Sequence, residues 1–216
     1  MNTDTSPNLR PPLANEAFSD KRQYSREGIK ISLAKDANDM EHVYRLVHDA
    51  YLEKGYCEPI ENQRLTYFEQ LDNIPETSIF LVRIDDEIIG TLSLTEQNPL
   101  GEPVDEVFQA DYKNVLLENR KTAVIWRLAI EKRYREMPFI VTELIKAVIW
   151  TCFERGIQTT ISTINQRQER LYQRIFNMRS VAHNTGISDF SHVPCAMIRW
   201  DQELCPKRWH PPKTHR

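Results

Sequence analysis

The sequence predicts an α/β protein built on one mixed sheet, and three stretches carry that prediction. SIFLVRI (78–84) and IIGTLSL (88–94) flank the polar turn Asp85-Asp86-Glu87 and read as an antiparallel hairpin. TAVIWRLAI (122–130) is a β-branched and aromatic run suited to a central strand. QTTISTI (158–164) alternates as a further strand, and the segment between these two holds a long apolar helix. A helix-bearing crossover of this length joins parallel neighbours. One antiparallel hairpin and one parallel pair make the sheet mixed.

The other elements follow in chain order. Residues 1–27 contain three prolines and few large apolar side chains, so a flexible arm is expected there. The basic PKRWHPPKTHR (206–216) is read as a tail, which leaves 28–205 as the folded domain. GIKISLA (28–34) alternates as a short strand, and Asp36, with Asp39 three residues on, is placed to cap the next helix. Met40, Val43, Tyr44, Val47, Ala50 and Tyr51 recur at helical spacing until Gly55 ends the pattern. ENQRLTYFEQLDN (61–73) is amphipathic and predicts a second helix. Residues 96–121 are acidic and irregular, a long connection or a short helix over a cleft. Pro138 sits where the first turn of a helix tolerates it, and that helix runs to about Glu154 with Gly156 as its C-terminal cap. A helix over Arg167–Asn177 and strands near MRSVAH (178–183) and CAMIRW (195–200) complete the order β-α-α-β-β-β-α-β-α-β-β.

Composition narrows the class. A chain of 216 residues with 40% apolar content can bury one sizeable core. No stretch approaches the ~20 apolar residues of a membrane span, and Glu143 and Lys146 interrupt the run Phe139–Phe153. The N-terminus lacks the apolar centre of a secretory signal, so a cytoplasmic protein is expected. The four cysteines are scattered and form no CxxC pair, which predicts neither a metal site nor a disulfide framework. A net charge of −3 argues against non-specific binding to nucleic acid. The charge is unevenly spread: six acids lie within Glu96–Glu118, followed by the basic residues Lys132, Arg133 and Arg135 and then Arg167, Arg170 and Arg174. These runs are either solvated faces or a dock for an acidic partner.

Asn165-Gln166-Arg167-Gln168-Glu169-Arg170-Leu171-Tyr172 follows a strand and opens a helix. In that position it resembles the N-acetyltransferase (GNAT) superfamily pattern, where an Asn ends the fifth strand and a Leu-Tyr pair follows. The resemblance implies the GNAT fold, a mixed and mostly antiparallel sheet with helices on both faces. It also implies a role for Tyr172. When an amine attacks a thioester a sulfur anion leaves, and a phenol beside it can supply the proton.

Arg133-Tyr134-Arg135 resembles the start of the glycine-rich turn that cradles the coenzyme A pyrophosphate, but Glu136 and Pro138 stand where that turn has glycines. Glutamate brings negative charge to the phosphate site and proline removes an amide donor. A phosphopantetheine arm on a carrier protein needs no pyrophosphate cradle. Lys132, Arg133 and Arg135, with Arg167, Arg170 and Arg174, are then expected to dock acidic acyl carrier protein.

Two GNAT-like families use that donor. The homoserine lactone synthases carry a Glu-x-x-Arg pair on the fourth strand; this chain has Arg127, but Val124 replaces the glutamate. VYRLVHDAYLEKGY (43–56) and WRLAIEKRYR (126–135) are more similar to the long-chain N-acyl amino acid synthases. That resemblance implies transfer of a long-chain acyl group from acyl carrier protein to the α-amine of an amino acid, an aromatic one such as tyrosine being an acceptor class of the family. No cofactor would be tightly bound, and acyl-phosphopantetheine would be the donor. Backbone amides of Leu128, Ala129 and Ile130 would polarise the thioester carbonyl, with Asn165 beside the pantetheine. Glu96 and Glu131 are candidate bases, and Arg127 either binds the acceptor carboxylate or forms a buried ion pair. An acetyl-coenzyme A N-acetyltransferase and a non-catalytic lipid-binding module are the alternatives.

Overall fold

A computed structural model describes residues 24–26, 28–185 and 193–212. Its strands are β1 (Tyr24–Arg26), β2 (Ile29–Leu33), β3 (Thr77–Ile84), β4 (Glu87–Glu96), β5 (Thr122–Ile130), β6 (Thr159–Asn165), β7 (Arg179–Asn184) and β8 (Cys195–Asp201). They form one eight-stranded sheet in the order β1-β2-β3-β4-β5-β6-β8-β7. Every neighbouring pair is antiparallel except β5 and β6. The helices are α1 (Ala37–Glu53), α2 (Gln109–Leu116), α3 (Pro138–Arg155) and α4 (Glu169–Phe176).

The local signals act as their chemistry dictates. The Asp36 carboxylate caps α1 by accepting from the Asp39 amide at 2.9 Å. Asp85 and Asp86, at φ +48° and +67°, make the two-residue hairpin turn between β3 and β4. Gly156, at φ +66°, ends α3 in the left-handed conformation. Among the described residues no helix is long and apolar enough to cross a membrane.

The sheet is covered on both faces. On one, α3 and α4 pack over Phe80, Leu92, Leu94, Ile125 and Ile198. On the other, α1 covers Ile79, Leu81 and Ala129, while α2 covers Val124, Ile161 and Met197.

Three expectations are corrected. Residues 61–73 form no helix beyond a 3-10 turn at Glu69–Leu71. Gln63 and Phe68 take φ of +53° and +57°, which a helix cannot accommodate. The domain boundary at 205 falls inside packed structure, since Trp209 is buried in the α3/α4 core and its indole donates to the Ile175 carbonyl at 2.9 Å. At the other end, Tyr24–Arg26 adds an edge strand to β2; the remainder of the expected arm lies outside the described residues.

Candidate active site

The site begins as a gap in the sheet. Pairing of β5 with β6 runs from Thr122–Thr159 only to Ile125–Ser162, although β5 continues to Ile130 and β6 to Asn165. The Ser162 hydroxyl donates to the Ile125 carbonyl at 2.9 Å and closes the ladder there. Beyond it β5 stays on β4 and β6 stays on β8, so the two strands diverge. A cavity of about 410 Å³ fills the wedge.

A bulge aims β5 into this gap. Ser93 pairs with Trp126 and Thr91 with Ala129, which leaves one residue extra on β5. Arg127 adopts φ +57°, rare for a side chain with a Cβ. The extra residue shifts the alternation: Ile125 faces α3 before it, and Ile130 faces α3 after it. Backbone groups also alternate along a strand. The Glu131 amide donates to the Ile89 carbonyl on β4, so the amides of Leu128 and Ile130 are directed toward the wedge. Leu128, Ala129 and Ile130 all line the cavity, but alternation turns the Ala129 amide to β4.

Arg127 resolves to the second of its two readings. Its guanidinium is 2% exposed, lies 2.8 Å from an Asp72 oxygen and donates to the Tyr67 carbonyl at 3.1 Å. Tyr44 donates to the other Asp72 oxygen at 2.7 Å. A guanidinium so engaged is not placed to receive an acceptor carboxylate. Its effect is structural: it ties the 65–72 segment, which forms one cavity wall, to the bulge.

Tyr172 and Asn165 both border the cavity. The Asn165 carbonyl oxygen caps the turn before α4 by accepting from the Arg167 amide at 2.9 Å, and its amide nitrogen donates to the Tyr56 hydroxyl at 3.2 Å. Tyr172 is buried, with its ring 6.0 Å from that of Phe176. Burial, with Tyr56 nearby, pushes its phenol up to about 12, so it stays protonated across the neutral range.

Neither expected base reaches the cavity. Glu96 pairs with Ala123 at the opposite end of β5 and is held by Lys121 at 2.7 Å and Arg155 at 3.1 Å. Glu131 follows β5 but is engaged with Arg133 at 2.7 Å. Asp105, which sequence reasoning passed over within an irregular acidic stretch, is the one carboxylate among the lining residues. The only local signal for it was its place two residues before an amide that it caps, that of Val107 at 3.1 Å.

The basic residues divide into two groups. Arg133 lies 2.5 Å from Glu87, Arg135 lies 2.8 Å from Glu53, and Lys132 approaches Glu53 at 3.6 Å. Arg135 also donates to the Ile130 carbonyl at 2.7 Å and lines the cavity. Arg167, Arg170 and Arg174 are exposed on the turn and helix that carry Tyr172, with Leu171 exposed among them.

The loop between β5 and α3 spends four of its amides internally. The amides of Tyr134, Arg135, Met137 and Ile140 donate to the carbonyls of Glu131, Lys132, Tyr134 and Met137. Pro138 has none to offer. A diphosphate is thereby denied these four amides and the one that proline lacks.

Comparisons with known proteins agree with this geometry. No curated protein matches the chain in sequence. Among solved structures, FeeM, an N-acyl amino acid synthase from uncultured soil microbes, superposes with a TM-score of 0.70 at 16% identity, over 81% of this chain and 91% of that one. The acyl-homoserine lactone synthase LasI gives 0.58 at 13% identity, over 81% and 89%. A GNAT-family putative acetyltransferase from Desulfovibrio desulfuricans gives 0.55 at 14% identity, over 81% and 99%. These likenesses establish the GNAT fold. The profile of the N-acyl amino acid synthase FeeM matches residues 42–201, about three quarters of the sequence. The chain accordingly belongs to the FeeM family of N-acyl amino acid synthases and is an acyltransferase.

Proposed function

We propose that this enzyme moves a long-chain fatty acyl group from acyl carrier protein to the α-amine of an amino acid. The observation that carries the donor assignment is the loop before α3, where four amides are bonded within the loop and Pro138 has none to offer a pyrophosphate. A phosphopantetheine arm needs only its single phosphate met, and Lys54 is among the residues that line the cavity. The exposed Arg167, Arg170 and Arg174, with Leu171 among them, offer a basic and partly apolar surface to an acidic carrier.

The wedge has two walls of different character. On the α3/α4 side the cavity is aliphatic, walled by Ile125, Val141, Ile145, Met178 and Ile198, and suits an acyl chain. On the α1 side Tyr51, Tyr56, Tyr67, Phe68 and Trp126 make an aromatic wall, and suit an aromatic acceptor such as tyrosine. In this reading the Leu128 and Ile130 amides meet the thioester oxygen as it gains charge. The amine attacks the carbonyl carbon, the C–S bond breaks as the tetrahedral intermediate collapses, and Tyr172 protonates the sulfur.

The test offers the purified protein a long-chain acyl-carrier protein or the matching acyl-coenzyme A, with the standard L-amino acids, and weighs the products. The expected product is an N-acyl amino acid, formed with a much higher specificity constant from the carrier-bound donor. Equal specificity constants would remove the carrier from the reading. Absence of an N-acyl amino acid with either donor would remove the acceptor.

A further inference from the structure

We infer that the hydroxyls of Tyr51 and Tyr56, paired across the end of α1, hold the carboxylate of the amino-acid acceptor. The inference rests on the acyl transfer proposed above and deepens it. An amino acid brings an anion into the cavity, and an anion taken out of water needs donors to meet it. The cation that the sequence offered, Arg127, is engaged by Asp72 and by the Tyr67 carbonyl. The contact must come from other groups.

The tyrosine pair is built by the way α1 ends. Gly55 takes φ +68° just past the helix. Its amide donates to the Leu52 carbonyl at 3.0 Å, and the Tyr56 amide reaches back to the Tyr51 carbonyl at 2.9 Å. These two bonds make a Schellman ending, which brings the side chains of its outer residues together. Here those residues are Tyr51 and Tyr56, whose rings meet edge to face at 76° with centroids 5.6 Å apart. The backbone thus holds two phenols side by side, and both residues line the cavity.

Both hydroxyls have a hydrogen to give. The Tyr56 oxygen accepts from the Asn165 side-chain amide at 3.2 Å, which ties the turn after α1 to the end of β6. A hydroxyl that accepts one hydrogen bond is polarised into a stronger donor for the next. Among the described residues no protein group accepts the Tyr56 hydrogen, and the Tyr51 hydroxyl makes no protein hydrogen bond. The field at the pair favours an anion. Burial raises the Tyr51 phenol above its ordinary range, and the Arg127 charge, its strongest electrostatic neighbour, pulls it back. A cation that favours negative charge at this hydroxyl favours a bound carboxylate for the same reason.

The place suits the chemistry. The Tyr56 and Tyr172 phenols are both felt at Tyr51, so the pair lies within electrostatic reach of the proposed acid. In an α-amino acid the amine stands one carbon from the carboxylate. A grip on the carboxylate here brings the amine to the thioester whose sulfur Tyr172 protonates.

Tyr51→Phe and Tyr56→Phe test this, since each keeps its ring, the edge-to-face contact and the backbone bonds of the helix end. With the standard L-amino acid that the wild type acylates fastest, the acceptor KM should rise roughly 10–100-fold in either variant, the worth of one hydrogen bond to a charged group. The donor KM should stay unchanged. The decisive arm is the amine left when that amino acid is decarboxylated, added as a competitor. It lacks the carboxylate and should compete equally in the wild type and both variants. An unchanged acceptor KM in either variant, or an equal weakening of the amine, would overturn the assignment while the acyl transfer stands. A donor KM that rises while the acceptor KM holds would put the hydroxyls on the thioester arm and overturn it too. A wild type that acylates no amino acid would overturn the acyl-transfer reading, and this inference with it.

Discussion

Tyr172→Phe isolates one hydroxyl in the wedge. The ring is buried against Phe176 at 6.0 Å, and the Phe variant keeps that ring and its contacts. No protein hydrogen bond to the hydroxyl is found among the described residues, so removing it strands no protein partner. The melting temperature should therefore stay within about 2–4 °C of the wild type, the shift that ~1 kcal/mol produces in a domain of this size. The effect on chemistry is larger. The phenol holds its proton up to about pH 12 and is available as an acid throughout the neutral range. General acid catalysis contributes ~10²–10⁴-fold, or about 3–5 kcal/mol in the barrier. Single-turnover acyl transfer from preloaded carrier should slow by that factor, with donor affinity intact. The deficit should shrink when the leaving thiol is more acidic, since a stable thiolate needs less help. Wild-type turnover in the Phe variant, or a deficit accompanied by an equal loss of stability, would refute the acid role.

Three further outcomes follow from the geometry. Arg170→Glu should weaken carrier association with a strong salt dependence, whereas Arg133→Glu should repel Glu87 and Glu131 and register mainly as lower stability; stopped-flow binding at two ionic strengths separates them. Arg127→Met leaves Asp72 buried without its cation and should cost about 3–5 kcal/mol in denaturant melts, while Arg127→Met with Asp72→Asn should recover part of that loss. Burial holds the phenols of Tyr44, Tyr51, Tyr112 and Tyr172 above their ordinary range, so between about pH 10 and 12 the unfolded chain loses protons that the folded one keeps. Stability should then fall with rising pH, by up to about 1.4 kcal/mol per unit for each tyrosine, in urea titrations followed across that range.

What the sequence made legible is what local chemistry decides. The Asp36 cap, the Asp85-Asp86 turn, Pro138 and Gly156 each determine their own backbone, and the strands they bound lie where alternation puts them. Asn165 and Tyr172 were legible because a cap and a helical spacing place both at the same strand end. Residues 61–73 were not. Their apolar spacing suits a helix, but the Tyr67 carbonyl and the Asp72 carboxylate are engaged by Arg127, a contact across about sixty positions that no local window contains. The bulge escaped for a related reason: TAVIWRLAI reads as an unbroken strand, and only pairing with β4 exposes the extra residue. Arg133 and Arg135 read as a free basic patch because Glu53 and Glu87, which meet them, are distant in sequence. Glu96 was placed near the chemistry by its strand alone, and the antiparallel register sends it to the wrong end.

The mooring of α4 extends the reach of the C-terminus. An eight-residue helix has few internal hydrogen bonds and is marginal on its own. The Ile175 carbonyl, near its end, receives both Arg208 at 2.7 Å and the Trp209 indole at 2.9 Å, while the Trp209 carbonyl receives the Trp150 indole from α3 at 3.0 Å. The last stretch of chain thus works as a guy-line, staying the short helix that bears Tyr172 to the long one beside it. Removal of the residues after Cys205 would leave every cavity-lining residue in the polypeptide and yet slacken the helix that aims one of them.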